Sequence, residues 1–458
     1  MRSTFGLFLF LFILISACRK DEGITKDPNA KLSFSKDSLL FDTIFTSIGS
    51  TVRNLKILNK NNDAVNISEI KLAGGNSSAF SININGQNIS TKNNLILNGQ
   101  DSLNVFVKVN INPDARNLTF LVQDSIILTT NGNRQSIQLL AYGQNAVFIN
   151  NANITTNTAW SKNLPYIING SVTVKSGASL NIQPGAKVYF HKDAVMNIEG
   201  ILNALGTSNQ PIEFCSDRLE TIYSDEPGQW KGIYLKPGGT GIIKNSIIKN
   251  ASVGITSDSL STNSNPKLIL SNNIIKNMQV AAYMGYHTEL LAFNNLLYNC
   301  GNYLIYAIGG GNYNLKQNTF AGYNPNFPRK TAALVFSDYL SSKAFNELQL
   351  DLTNNIIWGT LTNELDIQKK SMAIVQSNLS NNLIKTTSTN YSSNGNIINS
   401  DPLFVSPSSG TFVILNGSPA LKKGINLSAD VYFNQYLNKD LANKTRLSPS
   451  SLGCYENY

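Results

Sequence analysis

Asn245-Ser246-Ile247-Ile248 opens a short pattern that returns five more times in the second half of the chain. The later copies are Asn272-Asn273-Ile274-Ile275, Asn294-Asn295-Leu296-Leu297, Gln317-Asn318-Thr319-Phe320, Asn354-Asn355-Ile356-Ile357 and Asn381-Asn382-Leu383-Ile384. Counted from the second residue of each copy, the steps are 27, 22, 23, 37 and 27 residues. A unit of about 22 residues plus insertions is the size of one coil of a parallel β-solenoid. The repeat therefore predicts a solenoid.

The asparagines of this pattern have two readings. One asparagine of each pair sits at a corner of the coil, because asparagine tolerates left-handed backbone geometry. Its neighbours in successive coils can stack into a ladder of amides that satisfy one another inside the solenoid. Glycan binding by the same side chains is the alternative.

Composition favours an all-β protein with many turns. The chain has 458 residues, of which 42% are hydrophobic and 14% charged, and it contains 63 asparagines. That length predicts two or three domains with an ample core. The net charge of +9 is scattered along the chain. Nucleic-acid binding requires clustered cations with interleaved aromatic residues, so we predict no nucleic-acid partner. We also predict no cofactor and no metal site.

The N-terminus has the features of an export signal. A 13-residue, largely apolar run from Phe5 to Ala17 is too short to span a bilayer, and it leads to Ile15-Ser16-Ala17-Cys18. This ending resembles a bacterial lipobox, which implies acylation of Cys18 and a membrane anchor. An ordinary secretory signal with a coincidental cysteine is the alternative. Arg19-Lys20-Asp21-Glu22 resembles the export tag of surface lipoproteins, so we predict a lipid-anchored protein of the outer membrane, exposed at the cell surface.

Three folded segments are predicted after a signal peptide at 1–18 and a polar tether at 19–30. Residues 31–145 carry alternating runs such as Phe80-Ser81-Ile82-Asn83-Ile84, typical of a β-sandwich. Phe41-Asp42-Thr43-Ile44-Phe45 and Tyr142-Gly143-Gln144 resemble landmarks of an Ig-like module that precedes β-helices in surface lipoproteins.

Residues 146–405 are predicted to form the solenoid. Gly228-Gln229-Trp230-Lys231-Gly232-Ile233 resembles the entry coils of right-handed parallel β-helix repeat proteins, the superfamily that includes pectate lyases. Residues 406–458 are predicted to form a C-terminal cap, since Leu452-Gly453-Cys454-Tyr455-Glu456 resembles the closing motif of the same lipoproteins. The 37-residue step predicts a projecting loop at about 324–349, where solenoids often carry specificity.

Candidate site residues are few. His287 and Glu289, two residues apart, are weak catalytic candidates. Tyr283, Tyr286, Tyr303 and Tyr306 are candidates for a sugar-stacking platform if their rings are exposed. The acids of the loop before Trp230 could bind a cation, although Arg218 among them favours a solvated loop. Cys215, Cys300 and Cys454 are an odd number without a Cys-x-x-Cys motif, so we expect small buried hydrophobic residues.

The preferred function is a non-catalytic surface protein that binds polysaccharide or a protein partner through the β-helix. A polysaccharide lyase or glycoside hydrolase of β-helix type is one alternative, and a structural envelope component is another. The Gly309-Gly310-Gly311 step lacks the histidine that β-helix glycosidases commonly carry there.

Overall fold

A computed structural model describes residues 23–113, 119–324, 328–341, 344–370 and 375–458. The described residues form two compact units, which divide between Asn145 and Ala146. The predicted lipobox and Cys18 lie outside the described residues. Within the described residues, no helix has the length and apolar character needed to cross a bilayer.

The first unit is a β-sandwich of two sheets. One sheet has the order β1-β5-β10-β11-β3, with β8 on β5, and the other has the order β2-β4-β9-β6-β7. The predicted alternation holds, because Phe80, Ile82 and Ile84 are all buried between the sheets. The resemblance to an Ig-like module stays a prediction. The strands are β1 (Ile24–Thr25), β2 (Ser33–Phe34), β3 (Ser38–Phe45), β4 (Arg53–Leu58), β5 (Ala64–Leu72), β6 (Phe80–Ile84), β7 (Gln87–Ile89), β8 (Thr91–Leu97), β9 (Ser102–Val109), β10 (Phe120–Thr130) and β11 (Asn133–Gln144).

The second unit is a parallel β-helix, as the repeat predicts. Its 25 successive strands pair in parallel with strands of the next coil. They are β12 (Val147–Ile154), β13 (Thr158–Trp160), β14 (Tyr166–Val174), β15 (Ser179–Ile182), β16 (Lys187–Phe190), β17 (Val195–Ile198), β18 (Ile201–Leu205), β19 (Ile212–Ser216), β20 (Gly232–Leu235), β21 (Thr240–Lys244), β22 (Ser246–Lys249), β23 (Val253–Asp258), β24 (Leu268–Ser271), β25 (Ile274–Met278), β26 (Ala281–Phe293), β27 (Leu296–Cys300), β28 (Tyr303–Lys316), β29 (Thr319–Gly322), β30 (Leu334–Ser337), then β33 (Leu348–Thr353), β34 (Ile356–Gly359), β35 (Leu365–Gln368), β36 (Val375–Ser380), β37 (Leu383–Ile384) and β38 (Ile397–Ile398).

Strand register divides the strands from β16 to β37 into three parallel sheets. Sheet I contains β17, β20, β23, β30, β35 and the first halves of β26 and β28. Sheet II contains β18, β21, β24, β33, β36 and the second halves of β26 and β28. Sheet III contains β16, β19, β22, β25, β27, β29, β34 and β37. The chain visits them in the order I, II, III in each coil.

The core of the β-helix is a continuous apolar column. One inward position of sheet III, for example, is occupied in successive coils by Phe214, Ile248, Ile275, Leu297 and Phe320, all nearly or fully buried. Each such side chain contributes about 1.5–3 kcal/mol on burial.

The predicted entry coil places Trp230 against Phe190 with ring centroids 3.9 Å apart. Gly232, at φ 122°, lies where a Cβ atom would come within 1.8 Å of the Val253 carbonyl oxygen, so glycine is required there.

The repeated asparagines form the corner between sheets II and III, here called the ladder corner. The first residue of each pair adopts positive φ, from 47° at Asn245 to 60° at Gln317. The second residues stack inside. The Nδ2 of Asn273, Asn295 and Asn318 each donates to the next Oδ1 at 3.0 Å, and Asn355 and Asn382 continue the ladder to Asn396. The predicted corner and ladder are both confirmed.

Residues 423–440 of the predicted C-terminal cap lie along the ladder corner over several coils. Asn272 and Asn294 donate to carbonyls near residue 440, whereas Asn354 and Asn381 donate to those of Ile425 and Lys423. Residues 389–398 instead close the last coil, where Tyr391 and Ile398 pack on the core. The C-terminal segment contains β39 (Phe404–Ser406), β40 (Thr411–Ile414) and a π-helix at Phe433–Leu437. The three cysteines are free and buried, as predicted.

The predicted loop at 324–349 is two insertions. Strand β30 occupies its centre and belongs to sheet I. One insertion precedes β30 at the corner between sheets III and I. The other follows β30 at the corner between sheets I and II and contains the hairpin of β31 (Tyr339–Ser341) and β32 (Ala344–Phe345). The remaining 3-10 turns are Gly75–Ser77, Thr221–Tyr223, Thr389–Tyr391 and Pro407–Ser409.

Candidate functional site

Tyrosines from successive coils form a strip on the outer face of sheet I. Tyr234 and Tyr306 stand in one outward row, because Tyr234 pairs with Thr256, Thr256 with Met284, and Met284 with Tyr306. Tyr286 lies in the neighbouring row beside Asp258. With strands about 4.8 Å apart, the four steps from β20 to β30 span roughly 19 Å. We call Tyr234, Tyr286, Tyr303, Tyr306 and Tyr339 the tyrosine strip.

Tyr306 is the centre of this strip. Its ring stacks on that of Tyr303, with centroids 4.5 Å apart and planes 29° from parallel. Burial raises the pKa of Tyr306, and the nearby phenols of Tyr303, Tyr286 and Tyr339 raise it further. The hydroxyl of Tyr306 therefore stays protonated at neutral pH and can donate a hydrogen bond. All of Tyr286, Tyr303 and Tyr306 are half-buried, which leaves part of each ring accessible.

Lysines and one carboxylate flank the strip. The Lys236 Nζ lies 3.7 Å from the centroid of the Tyr234 ring, and the Lys370 Nζ lies 4.1 Å from that of Tyr339. The Tyr234 hydroxyl donates to Asp258 Oδ2 at 3.2 Å. Burial raises the pKa of Tyr234, and Asp258 adds to that effect. The strip thus combines partly exposed rings with both donors and acceptors.

Tyr283 does not belong to the exposed set, which corrects its prediction as a ligand-binding residue. Its side chain is fully buried in the core. A Cβ atom on Gly285 would lie 3.0 Å from the Tyr283 hydroxyl, so glycine at 285 leaves room for the ring. Burial raises the pKa of Tyr283, while the hydroxyls of Ser257 and Thr288 oppose the rise. This tyrosine is therefore a core residue.

His287 and Glu289 each contact the backbone of an adjacent coil. His287 occupies a corner at φ 46°, and its Nδ1 lies 3.1 Å from the Gly309 carbonyl oxygen. Glu289 Oε2 accepts the Lys267 backbone N–H at 3.0 Å. Both residues are half-buried, with the buried Thr288 between them. In this arrangement the two side chains brace the corner between sheets I and II.

Lys267 is a buried cation that the sequence did not single out. Its side chain has no exposed surface, and its Nζ donates to the Lys236 carbonyl oxygen at 2.6 Å. Burial lowers the pKa of Lys267 to about 8, although Asp258 partly offsets this effect. Its position directly before strand β24, beside the loop at 259–266, gave no periodic signal.

The acidic loop before Trp230 is held by a hydrogen-bond contact and an ion pair. Asp217 Oδ2 lies 2.7 Å from His191 Nδ1, and Glu220 pairs with Arg218 at 3.5 Å. Arg218 also stacks over the Tyr223 ring, with its Cζ 3.6 Å from the ring centroid. Among the described residues, no group of three or more His, Cys, Asp or Glu side chains could hold a metal ion. Asp217 and Glu220 therefore help to attach the loop.

A second asparagine series lies at the corner between sheets III and I, here called the second corner. Asn250, Asn277 and Asn299 follow Ser246, Asn273 and Asn295 by four residues each, and all three have positive φ. Asn299 Nδ2 donates to Asn277 Oδ1 at 2.6 Å, and Asn277 Nδ2 donates to Asp225 Oδ1 at 2.7 Å. The fixed offset of four residues was the available sequence signal for this series.

No protein-family model and no curated protein matches the chain. Among solved structures, a complex of XylC with xylose is 10% identical with a TM-score of 0.37, covering 83% of this chain and 79% of that one. The catalytic unit of a GH87 α-1,3-glucanase from Streptomyces thermodiastaticus strain HF3-3 is 11% identical with a TM-score of 0.19, covering 80% and 88%. A PapD-like domain of human CEP192 is 12% identical with a TM-score of 0.18, covering 28% and 94%. These scores are too low to transfer an activity.

Proposed function

We propose that this chain is a polysaccharide-binding β-helix whose tyrosine strip contacts the glycan. The observation that carries the proposal is the cluster around Tyr306, where phenols from neighbouring coils adjoin on the outer face of sheet I. Sugars offer a C–H face that packs on aromatic rings and hydroxyls that exchange hydrogen bonds with phenols, carboxylates and amines. The strip supplies all of these groups.

The length of the strip favours a polymer over a single sugar. Its rings are spread over roughly 19 Å along the axis of the β-helix, at the strand spacing of about 4.8 Å. A chain lying along this axis meets a ring or a polar group in most coils. The hairpin of β31 and β32 carries Tyr339 to one end of the strip, so part of the predicted insertion supports the same surface.

We also propose that the protein is exported and anchored through acyl chains on Cys18. The support is the apolar run followed by Ile15-Ser16-Ala17-Cys18. Substitution Cys18→Ser is expected to abolish incorporation of a clickable fatty acid and to release the protein from the membrane fraction. Incorporation that persists in Cys18→Ser would contradict the anchor.

Binding is tested by affinity electrophoresis of the purified protein in gels containing neutral or acidic polysaccharides. Substitution Tyr306→Ala is expected to weaken binding about two- to tenfold, since an aromatic contact contributes roughly 0.5–1.5 kcal/mol. Tyr142→Ala is the matched control, because Tyr142 is 43% exposed but lies in the sandwich. Equal retention of wild type and Tyr306→Ala on every polysaccharide would refute the proposal.

Parallel assays of reducing ends and of unsaturated products separate binding from catalysis. We expect neither product from a binding protein. Release of product that falls in Glu289→Gln or Asp258→Asn would replace the proposal with a hydrolase or lyase acting on the same face.

A further inference from the structure

The second corner opens into a cleft that is separate from the tyrosine strip. This corner cleft has a cavity of about 310 Å³ and lies between the asparagine series and the turn of the β39–β40 hairpin. Its volume is at the lower end of the range for small-molecule sites. Its lining includes Asp225, Lys276, Tyr298, Asn299, Tyr323 and Phe412.

Aromatic rings form one side of the cleft. The Tyr298 and Phe412 ring centroids are 5.0 Å apart, and those of Tyr323 and Phe412 are 6.0 Å apart. Tyr298 and Tyr323 are half-buried. Burial raises the pKa of both hydroxyls to about 12, so the rings stay neutral at physiological pH. This side offers an apolar face with phenol donors at its edge.

Polar side chains form the other side. Asn299 Nδ2 donates a hydrogen bond to Asn277 Oδ1, and Asn277 Nδ2 donates one to Asp225 Oδ1. These two bonds hold the amides and the carboxylate in a row. The Lys276 Nζ lies 3.7 Å from Asp225 Oδ1, a distance too long for a hydrogen bond, and 5.7 Å from the Tyr298 ring centroid. The charges of Lys276 and Asp225 balance, so the cleft has no strong preference for a charged ligand.

Neighbouring coils show how this corner is otherwise filled. Two coils before Asn299, the Asn250 amide donates to the carbonyls of Tyr223, Ser224 and Glu226, so a loop covers the corner. In the coil after Asn299 the asparagine is replaced by Gly322, and the Arg329 guanidinium occupies the freed space, since a Cβ atom would lie 2.4 Å from its Nη2. Between these two positions, at Asn277 and Asn299, the corner opens into the cleft.

We propose that the corner cleft binds a single uncharged saccharide unit, with its apolar face on Tyr298 and its hydroxyls on Asn299, Asp225 and Lys276. Rings beside a balanced set of donors and acceptors match a polyhydroxylated ring better than an ion or an apolar ligand. The site shares no residue with the tyrosine strip and does not depend on the proposed function.

The test uses the purified protein and a panel of methyl glycosides of glucose, galactose, mannose, xylose and N-acetylglucosamine, followed by ligand-observed NMR titration. At least one glycoside is expected to bind saturably at millimolar concentration or better. Lys276→Met is expected to weaken that binding at least tenfold. The matched control is Lys249→Met, because Lys249 pairs with Lys276 in the preceding coil of the same sheet.

A second variant guards against loss of folding. Asn299→Gly removes the amide but suits the backbone, since Asn299 has a φ of 51°. It is expected to weaken binding while leaving the melting temperature within a few degrees. Absence of saturable binding across the panel would overturn the inference, as would equal weakening by Lys249→Met. Loss of glycoside binding in Tyr306→Ala would also overturn the inference, because Tyr306 lies outside the cleft. The electrophoresis in polysaccharide gels tests the tyrosine strip alone, so failure of one proposal can be told from failure of the other.

Discussion

The ladder corner and the second corner both begin with asparagines at positive φ, but they continue differently. At the ladder corner an Asn-Asn pair recurs through six coils, with Asn245-Ser246 and Gln317-Asn318 as variants, and from Asn273 onward each inner amide is satisfied by the next. At the second corner, asparagine at positions 250, 277 and 299 gives way to Gly322 and Gly359. The glycines make room for an ion pair between Arg329 and Glu364, both almost fully buried.

The two corners differ in how completely the asparagine side chains are satisfied within the chain. At the ladder corner the inner asparagines satisfy one another and are buried. At the second corner the series ends at Asn299, and the polar groups beside this last asparagine line the corner cleft, whereas the Arg329 guanidinium fills the space at Gly322. The corner between sheets I and II is also irregular, since the buried Lys267 and the hairpin of β31 and β32 lie there in place of a regular turn.

The largest expected effect comes from the irregular corner. Glu364→Ala leaves the Arg329 guanidinium buried without its carboxylate, which is 2.6 Å away, and removes the acceptor for the backbone N–H groups of Leu361 and Ala333. Breaking such a pair costs about 3–5 kcal/mol. Urea denaturation of the purified protein measures the loss. A change below about 1 kcal/mol would show that the ion pair is not a structural replacement for the ladder.

Interrupting the regular ladder is expected to cost somewhat less. Asn318→Ala removes the acceptor of the Asn295 amide and the donor to Asn355 Oδ1 and the Ala292 carbonyl. Each unsatisfied buried group costs about 1–3 kcal/mol, and water or local relaxation can recover part of that cost. We therefore expect the free energy of unfolding to fall by roughly 2–4 kcal/mol. Thermal unfolding of Asn318→Ala beside Asn93→Ala, an exposed residue of the sandwich, provides the measurement and its control. Equal melting temperatures would contradict a stabilising ladder.

The pH dependence of stability should trace to the buried charge at an irregular corner. Burial lowers the pKa of Lys267 to about 8, below its usual 10.5. Between these values the unfolded chain binds more protons than the folded chain, so stability rises with pH, by up to about 1 kcal/mol per pH unit. Below pH 8 both forms are protonated and this contribution is constant. Denaturation between about pH 8 and pH 10 should show the rise in wild type and its loss in Lys267→Met. If the stability of Lys267→Met still rises over this pH range, the pH dependence comes from another group.

The smallest effect is expected from the outer residue of an asparagine pair. Asn381 is at φ 52° and donates one hydrogen bond to the Lys423 carbonyl oxygen at 2.8 Å. Asn381→Gly keeps the backbone geometry and should cost less than about 1 kcal/mol. Its neighbour Asn382 is fully buried, and Asn382→Ala should cost clearly more. Comparable losses for the two variants would mean that inner and outer asparagines contribute alike.

The face of each tyrosine could not be read from the spacing alone. Tyr283 and Tyr306 are 23 residues apart, about one coil, which placed both in one candidate platform. In the structure Tyr283 pairs with Ile305, and Tyr306 pairs with Met284. A shift of one residue moves a strand side chain to the opposite face, so one tyrosine is in the core and the other is on the surface. The strip residues Tyr234 and Tyr339 were not among the predicted platform residues.

The sequence by itself determined the coil. Asparagine pairs at intervals of 22 to 37 residues predict a turn at positive φ and an amide ladder, because both depend on one residue type recurring in register. Only the tertiary structure decided which side chains meet between coils. The corner cleft, the Arg329–Glu364 pair and the path of the C-terminal segment join residues that are distant in sequence and follow no period. Their contacts depend on how far each insertion displaces the next coil, and that displacement arises from packing.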